Sequence, residues 1–171
     1  PGVILSYHII SIASLTTILI FDIYLLLNIY FTAVQQFGED SVIVFNLAVA
    51  TFLSGQVEQS VLLYQSALSL DSERMKSSQD GAAEGVTSIP DAWASLGTAM
   101  HTLGRWQEAH DSYERAYKIQ PQSIVLLANW AKLLCNPSVK LYDQGREIVN
   151  AALALDNTNA DVQQAVTLCK Q

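Results

Sequence analysis

The side chains that could carry out chemistry are few in this sequence, and none lies at a catalytic or metal-binding spacing. His101 and His110 belong to no HExxH pattern and have no acidic partner at ligand spacing. The glycines occur singly, without the GxGxxG or GK[ST] patterns that bind phosphate. We therefore predict that the chain is not an enzyme and has no catalytic residues, cofactor, metal ion or small-molecule substrate.

The remaining reactive side chains have plain structural interpretations. The two histidines are interpreted as exposed polar residues, and Glu108 and Asp111 as part of a solvated helix face. Cys135 and Cys169 lie in neither a CxxC motif nor a Cys/His ligand spacing. We expect them to be reduced, partly buried thiols and expect neither a disulfide framework nor a zinc site.

The charge distribution argues against nucleic acid as a partner. The formal net charge is -7, and the 9 basic side chains, none of which precedes Arg74, form no cluster. Binding to a phosphate backbone depends on grouped cations. We therefore expect a protein or peptide partner.

The element that must position any binding residues is a helical hairpin over 90–122. Two amphipathic segments, Asp91–Leu103 and Trp106–Ile119, are separated by Gly104, a residue that accepts the left-handed backbone ending a helix. Ser88 lies three residues before an acid, a helix-start pattern, and Pro121 ends the hairpin. The two helices are expected to cross where small residues alternate with bulky ones.

The same stretch resembles the tetratricopeptide repeat family. The residues that match its pattern are Trp93, Leu96, Gly97, Ala109, Tyr113, Ala116 and Pro121, with Met100 in place of the usual Tyr. One such hairpin cannot bury both of its faces, so the resemblance implies neighbours at a period of about 34 residues. It implies an all-α fold, a tetratricopeptide-type solenoid of antiparallel helix hairpins with a hydrophobic N-terminal helix or helices.

Neighbouring hairpins are visible on both sides. Ser41–Leu70 repeats the plan 49 residues earlier, which leaves extra residues between Asp71 and Ile89 that we interpret as an exposed loop. Ser123–Asp156 is a third hairpin, in which Pro137 lengthens the turn. We accordingly divide the chain into a hydrophobic N-terminal segment (1–40), three repeats (41–72, 90–122 and 123–157), a loop (73–89) and a capping helix (158–171).

The first segment has more than one interpretation. Val3–Phe31 carries a single formal charge, Asp22, and a helix of that length would extend about 44 Å, more than the ~30 Å of bilayer hydrocarbon. It is either a transmembrane helix or a degenerate repeat, in which Ile23–Phe37 is the second helix of a hairpin. A third possibility is wrongly joined sequence. Because the chain begins with Pro, we treat it as a fragment or a gene-model product.

The resemblance also implies where a partner would bind. First helices of tetratricopeptide repeats line a concave groove that holds a peptide or a partner helix. The corresponding residues here are Phe45, Asn46, Val49, Phe52, Ser95, Thr98, His101, Thr102, Asn129, Lys132 and Cys135. Family members that grip a C-terminal carboxylate use several Lys, Asn and Arg residues, whereas only Lys132 is basic here. We therefore expect a partly apolar ligand.

These features predict a non-enzymatic protein-protein interaction scaffold, with possible tethering to a membrane through Val3–Phe31. The chain would then be membrane-associated or cytoplasmic, with the repeats in the cytosol. Two alternatives stay open: a tetratricopeptide segment of a larger membrane enzyme such as a glycosyltransferase, and a purely architectural segment. Phe45 and Phe52 have an alternative role too, as residues that simply pack on the preceding N-terminal helices.

Overall fold

The described residues, 22–77 and 89–170 of the computed structural model, form eight helices and contain no strand. The helices are α1 (22–37), α2 (Ser41–Leu53), α3 (Val57–Ser77), α4 (Ala92–Thr102), α5 (Trp106–Ile119), α6 (Ile124–Leu134), α7 (Tyr142–Leu155) and α8 (Ala160–Cys169). Each of α2, α4 and α6 packs on the helix that follows it, which gives three hairpins. Val3–Phe21 and residues 78–88 of the predicted loop, with the predicted helix-start residue Ser88, lie outside the described residues.

Tight turns close the first two hairpins. Gly55 follows α2 with φ 85°, and Gly104 follows α4 with φ 73°. This left-handed backbone is open to glycine at little steric cost. In the third hairpin the connection is longer: α6 ends at Leu134, Pro137 lies in the turn, and Lys140 takes the positive φ of 59°. The prediction that Pro137 lengthens this turn is confirmed.

Side-chain caps begin three of the helices. The carboxylate of Asp40 accepts hydrogen bonds from the amides of Val42 and Ile43 at the start of α2. Ser123 accepts one from an amide of α6, and Asn159 accepts two at the start of α8. These bonds satisfy amides that have no partner within their own helix. Asp91 precedes α4 without such a bond.

The second hairpin is held by a close crossing of α4 and α5. Gly97 is buried, and a Cβ placed on it would lie 2.8 Å from Cδ1 of Tyr113. Ala109 and Ala116, on α5, are almost completely buried. The predicted alternation of small and bulky residues at the crossing is confirmed: small residues allow the helices to approach, and Tyr113 fills the space beside them.

The predicted loop over 73–89 is wrong at its first part and at its last residue. Helix α3 continues to Ser77, because the sequence after Leu70 keeps a helix-compatible composition and ends with Arg74 and Lys76 beside the helix C-terminus. At the other end, Ile89 is buried in a small apolar cluster with Val44 and Ala67.

The prediction of two reduced, partly buried cysteines is also wrong. Cys135 and Cys169 are joined by a disulfide, with Cα atoms 5.1 Å apart, and their side chains are almost completely buried. The two residues are 34 positions apart, the period of the tetratricopeptide pattern. That spacing brings the C-terminal ends of α6 and α8 side by side.

Helix α8, which we predicted to be a capping helix, covers part of the third hairpin. It packs on both α6 and α7. Val162 contributes to one apolar cluster with Leu127 and Ala152, and Ala165 to a second with Ala131 and Val149.

Helix α1 leaves much of its apolar surface exposed. Tyr24, Ile29, Phe31 and Phe37 are all more than half exposed. Val34 packs against the cluster that contains Val44 of α2. Among the described residues, none of the helices has the length and apolar character needed to cross a bilayer.

Candidate functional site

The predicted groove residues lie on α2, α4 and α6, the first helices of the three hairpins, except for Cys135, which follows α6 directly. Most of their side chains are half-buried, and Thr102 is exposed. Cys135 differs, because it is 1% exposed and bonded to Cys169. It therefore offers no thiol or free surface to a partner.

Two of these residues are engaged in holding the fold. The hydroxyl of Thr98 lies 3.1 Å from the hydroxyl of Tyr113 and donates a hydrogen bond to the carbonyl of Ala94. Ser95 forms a hydrogen bond with Tyr64 of the preceding hairpin. Both tyrosine hydroxyls thus find a partner in a buried setting, as buried polar groups must.

Burial changes the acidity of both tyrosines. It raises the pKa of Tyr64 to about 12, and the hydrogen bond from Ser95 opposes part of the rise. The pKa of Tyr113 is likewise raised to about 12 by burial, against the hydrogen bond with Thr98. The neutral phenols are therefore the forms that suit these positions.

The predicted groove includes two ionisable side chains, His101 on α4 and Lys132 on α6. Burial lowers the pKa of the His101 imidazole, and the positive charge of Lys132 lowers it further. The His101 ring also meets the indole of Trp106 edge-on, with ring centroids 5.6 Å apart. His101 is half-buried, so its interpretation as an exposed polar residue is wrong.

Lys132, the basic residue of the predicted groove, is already paired. Its Nζ lies 2.6 Å from Oδ1 of Asp161, at the start of α8. The lysine side chain is 16% exposed and the aspartate 60% exposed. A ligand carboxylate would therefore have to compete with Asp161 for this ammonium group.

The aromatic residues of α2 face the array interior in part. Phe45 lies beside Tyr64, with ring centroids 5.9 Å apart, and Phe52 packs on the same core cluster. Phe45 and Val34 both pack against the cluster of Val44, Ala67, Ile89 and Ala92. The alternative, that Phe45 and Phe52 pack on the N-terminal helices, stays a prediction.

A second histidine contact was missed by sequence reasoning. Nδ1 of His110 accepts a hydrogen bond from the indole N–H of Trp130 at 3.1 Å, and the rings of Trp130 and Tyr117 lie 5.6 Å apart. His110 is half-buried, so it too is not an exposed polar residue. The helical period could have indicated the contact, because Trp130 lies on the face of α6 that meets α5.

Two clefts open over α4 and α2, each bordered by the helices that precede and follow in the chain. One, of about 440 Å³, lies between α3 and α5 over the first turns of α4, and the other, of about 560 Å³, lies between α1 and α3 over α2. Leu96 and Met100 form the floor of the first, and Leu47 and Thr51, 49 residues earlier, form the floor of the second. The clefts are therefore equivalent places in successive repeats.

The two clefts differ in polarity. Arg115 lies over the Trp93 ring, 4.6 Å from its centroid, and Glu108 pairs with Arg105 at 2.6 Å in or beside the first cleft. The hydrogen bond from Arg105 is the main cause that lowers the pKa of the Glu108 carboxyl. The second cleft is lined mainly by apolar residues such as Phe31 and Leu62. The carboxylate of Asp111 accepts a hydrogen bond from the side-chain amide of Gln107. Glu108 and Asp111 are therefore surface acids that bond to neighbouring side chains.

No metal centre is formed by the described parts of the chain: they hold no group of three or more His, Cys, Asp or Glu residues that could bind an ion. Their buried side-chain nitrogen and oxygen atoms all have hydrogen-bond partners. The hydrogen-bonding capacity of the buried side chains is thus satisfied within the array, and the groove presents mixed apolar and polar surface.

Comparison with known proteins agrees with this architecture. Residues 90–123 match the tetratricopeptide repeat family. Among similar solved structures is the Arabidopsis OM64 TPR domain, with a TM-score of 0.60 and 17% identity, over 76% of this chain and 93% of that one. No match was found among curated proteins.

Proposed function

We propose that this chain, which carries a tetratricopeptide repeat at 90–123 and has the fold of a tetratricopeptide array, is a non-enzymatic scaffold that binds a peptide or partner helix along α2, α4 and α6. Arrays of this fold generally serve protein-protein interaction. The observation that supports the assignment is that α4 contacts both α2 and α6, so the first helices of the three hairpins lie side by side.

The chemistry of that face favours a partly apolar ligand with polar groups along one side. Phe45, Val49 and Phe52 are only partly buried by the core that they contact. Asn46 and Asn129 add amide groups that can bond to a peptide backbone. Lys132 contributes little free charge, since Asp161 already neutralises it.

Charge insertion in the groove would test the proposal. Peptides would be selected from a displayed random library on the full chain, and their affinity measured for Asn46→Glu and Asn129→Glu variants. Each carboxylate would be desolvated against a partly apolar ligand, so we expect affinity to fall about tenfold or more. The matched controls are Gln144→Glu on exposed α7 and Gln65→Glu in the cleft between α3 and α5.

The two controls give the experiment its resolution. Affinity retained by both controls and lost in both groove variants supports the groove. Loss in Gln65→Glu alone assigns binding to the cleft between α3 and α5. If all four variants keep the affinity of the parent chain, neither the groove nor the cleft between α3 and α5 is the binding surface.

Attachment to a membrane through Val3–Phe31 is a second proposal. The support is the exposed apolar surface of α1, which includes Ile29 and Phe31. Contact of such a surface with water is unfavourable in free energy, and contact with lipid would remove that penalty. Carbonate extraction of membranes containing the chain tests it. Retention in the pellet supports an embedded segment, and release into the supernatant contradicts it.

A larger membrane enzyme that includes this array, and a purely architectural segment, are the alternative proposals. Catalytic activity that maps to residues outside the array would favour the first. An array that binds no peptide from the library, yet is needed for assembly of a larger complex, would favour the second.

A further inference from the structure

The disulfide joins the end of α8 to the end of α6. Cys135 follows α6 directly, and Cys169 is the final residue of α8. Between them α8 covers apolar residues of α6 and α7, including Leu127, Ala131 and Ala152, all of which are completely buried.

The surrounding residues make room for this bridge. Gly145 lies on α7 beneath the two sulfur atoms, and a Cβ at this position would overlap the sulfur of Cys135 and lie 3.3 Å from that of Cys169. At the other end of α8, Asp161 forms an ion pair with Lys132 of α6, beside the apolar contact of Val162 with Leu127. One covalent bond and one ion pair thus fasten opposite ends of the same helix.

These two fastenings differ greatly in strength. The ion pair has a carboxylate that is 60% exposed, and partly exposed pairs contribute little to stability. A 10-residue helix has little stability of its own and depends on packing. Of these two fastenings, the disulfide is therefore the stronger, and it acts together with the apolar contacts of α8.

We propose that the Cys135–Cys169 bond is a redox-controlled latch for α8: a dithiol reductant opens it, and α8 then leaves the apolar surface of α6 and α7. A thiolate of the reductant attacks one sulfur, forming a mixed disulfide and releasing the other cysteine. The second thiol of the reductant then releases the remaining cysteine and closes its own disulfide. Two electrons and two protons pass to the protein, which ends with two thiols.

Access to the bond requires movement at the helix end. Both sulfur-bearing side chains are at most 2% exposed, but Cys169 is the last residue of α8, and terminal turns fray more readily than helix centres. Disulfides persist in oxidising compartments and are reduced in the cytosol. The latch would accordingly be closed in oxidising compartments and open in the cytosol. This inference does not depend on peptide binding in the groove.

Hydrogen exchange of the full chain, before and after treatment with dithiothreitol, tests the latch. We expect the amides of α8 to exchange about 30-fold faster after reduction, the lower end of the effect of one disulfide, while those of α4 and α5 keep their rates. Removal of the reductant and reoxidation should restore the slow exchange. Thiol titration shows whether reduction was complete.

Two variants sharpen the result. In Cys135→Ser combined with Cys169→Ser, exchange in α8 should be fast with or without dithiothreitol. Asp161→Asn should accelerate α8 further in the reduced protein and little in the oxidised one. Unchanged α8 exchange after complete reduction, faster exchange throughout the array, or free thiols in the untreated protein together with a protected α8 would each overturn the proposal.

Discussion

Replacing Gly97 by Ala should destabilise the array, although alanine is the better helix former. In α4 the added Cβ would lie 2.8 and 2.9 Å from two ring atoms of Tyr113. That ring is completely buried and its hydroxyl is bonded to Thr98, so it has no free space in which to move. The crossing is therefore the place where the hairpin tolerates least change.

The magnitude follows from two opposing effects. Overpacking of a filled core costs about 1–3 kcal/mol, and loss of glycine from a helix interior returns about 0.5–1 kcal/mol. Contacts under 3.0 Å with a fixed ring put the cost in the upper part of its range. We expect a net loss of about 1–2 kcal/mol in the free energy of unfolding, measured by chemical denaturation.

A double-mutant cycle gives the control. In a Tyr113→Leu background the ring is gone, so Gly97→Ala should be neutral or stabilising. In a Tyr113→Phe background the ring remains, so the loss should persist. Stabilisation of the parent protein by Gly97→Ala would refute the account of the crossing, because it would show that Tyr113 can yield.

Three further predictions concern individual contacts. Lys132→Gln should raise the pKa of His101 towards the ordinary 6.5 without reaching it, because burial, the larger cause of the lowered pKa, persists. NMR titration of the imidazole measures this. An unchanged pKa would contradict an electrostatic effect of Lys132 on His101. The pKa of Tyr113 is raised from 10.0 to about 12, so its contribution to the free energy of unfolding should be complete below pH 10 and fall as the pH rises through 12. Phenolate absorbance should appear as helical circular dichroism is lost. Ionisation of Tyr113 near pH 10 in the intact fold would contradict the effect of burial. Trp130→Phe removes the indole donor to His110 and should cost about 0.5–1.5 kcal/mol; a neutral result in denaturation would make that bond dispensable.

Most of the hairpin architecture could be predicted from sequence because it depends on local rules. Glycine after α4, small residues at the crossing and Pro137 in a turn each act through backbone geometry or residue size. The end of α3 could not be fixed in the same way. Serine-rich, charged sequence is compatible with a solvated helix as well as with a loop, and only the structure shows that α3 continues to Ser77.

The candidate site was harder to predict, because face and burial depend on contacts between hairpins. Ser95 and Thr98 lie at positions that family resemblance assigns to a partner, yet their hydroxyls bond to Tyr64 and Tyr113. His101 and His110 each face an aromatic ring contributed by another helix. A helical pattern gives the direction of a side chain but not the residue that it meets.

The disulfide illustrates how a repeat creates proximity that ordinary cysteine spacing does not reveal. Motifs such as CxxC join residues within one turn, whereas Cys135 and Cys169 are 34 residues apart. In a solenoid, residues one period apart occupy equivalent places on adjacent units. Cysteines at such a spacing near the ends of first helices are therefore candidates for a bridge across the stack, and the glycine on the intervening helix, Gly145, supplies the space that the sulfur atoms need.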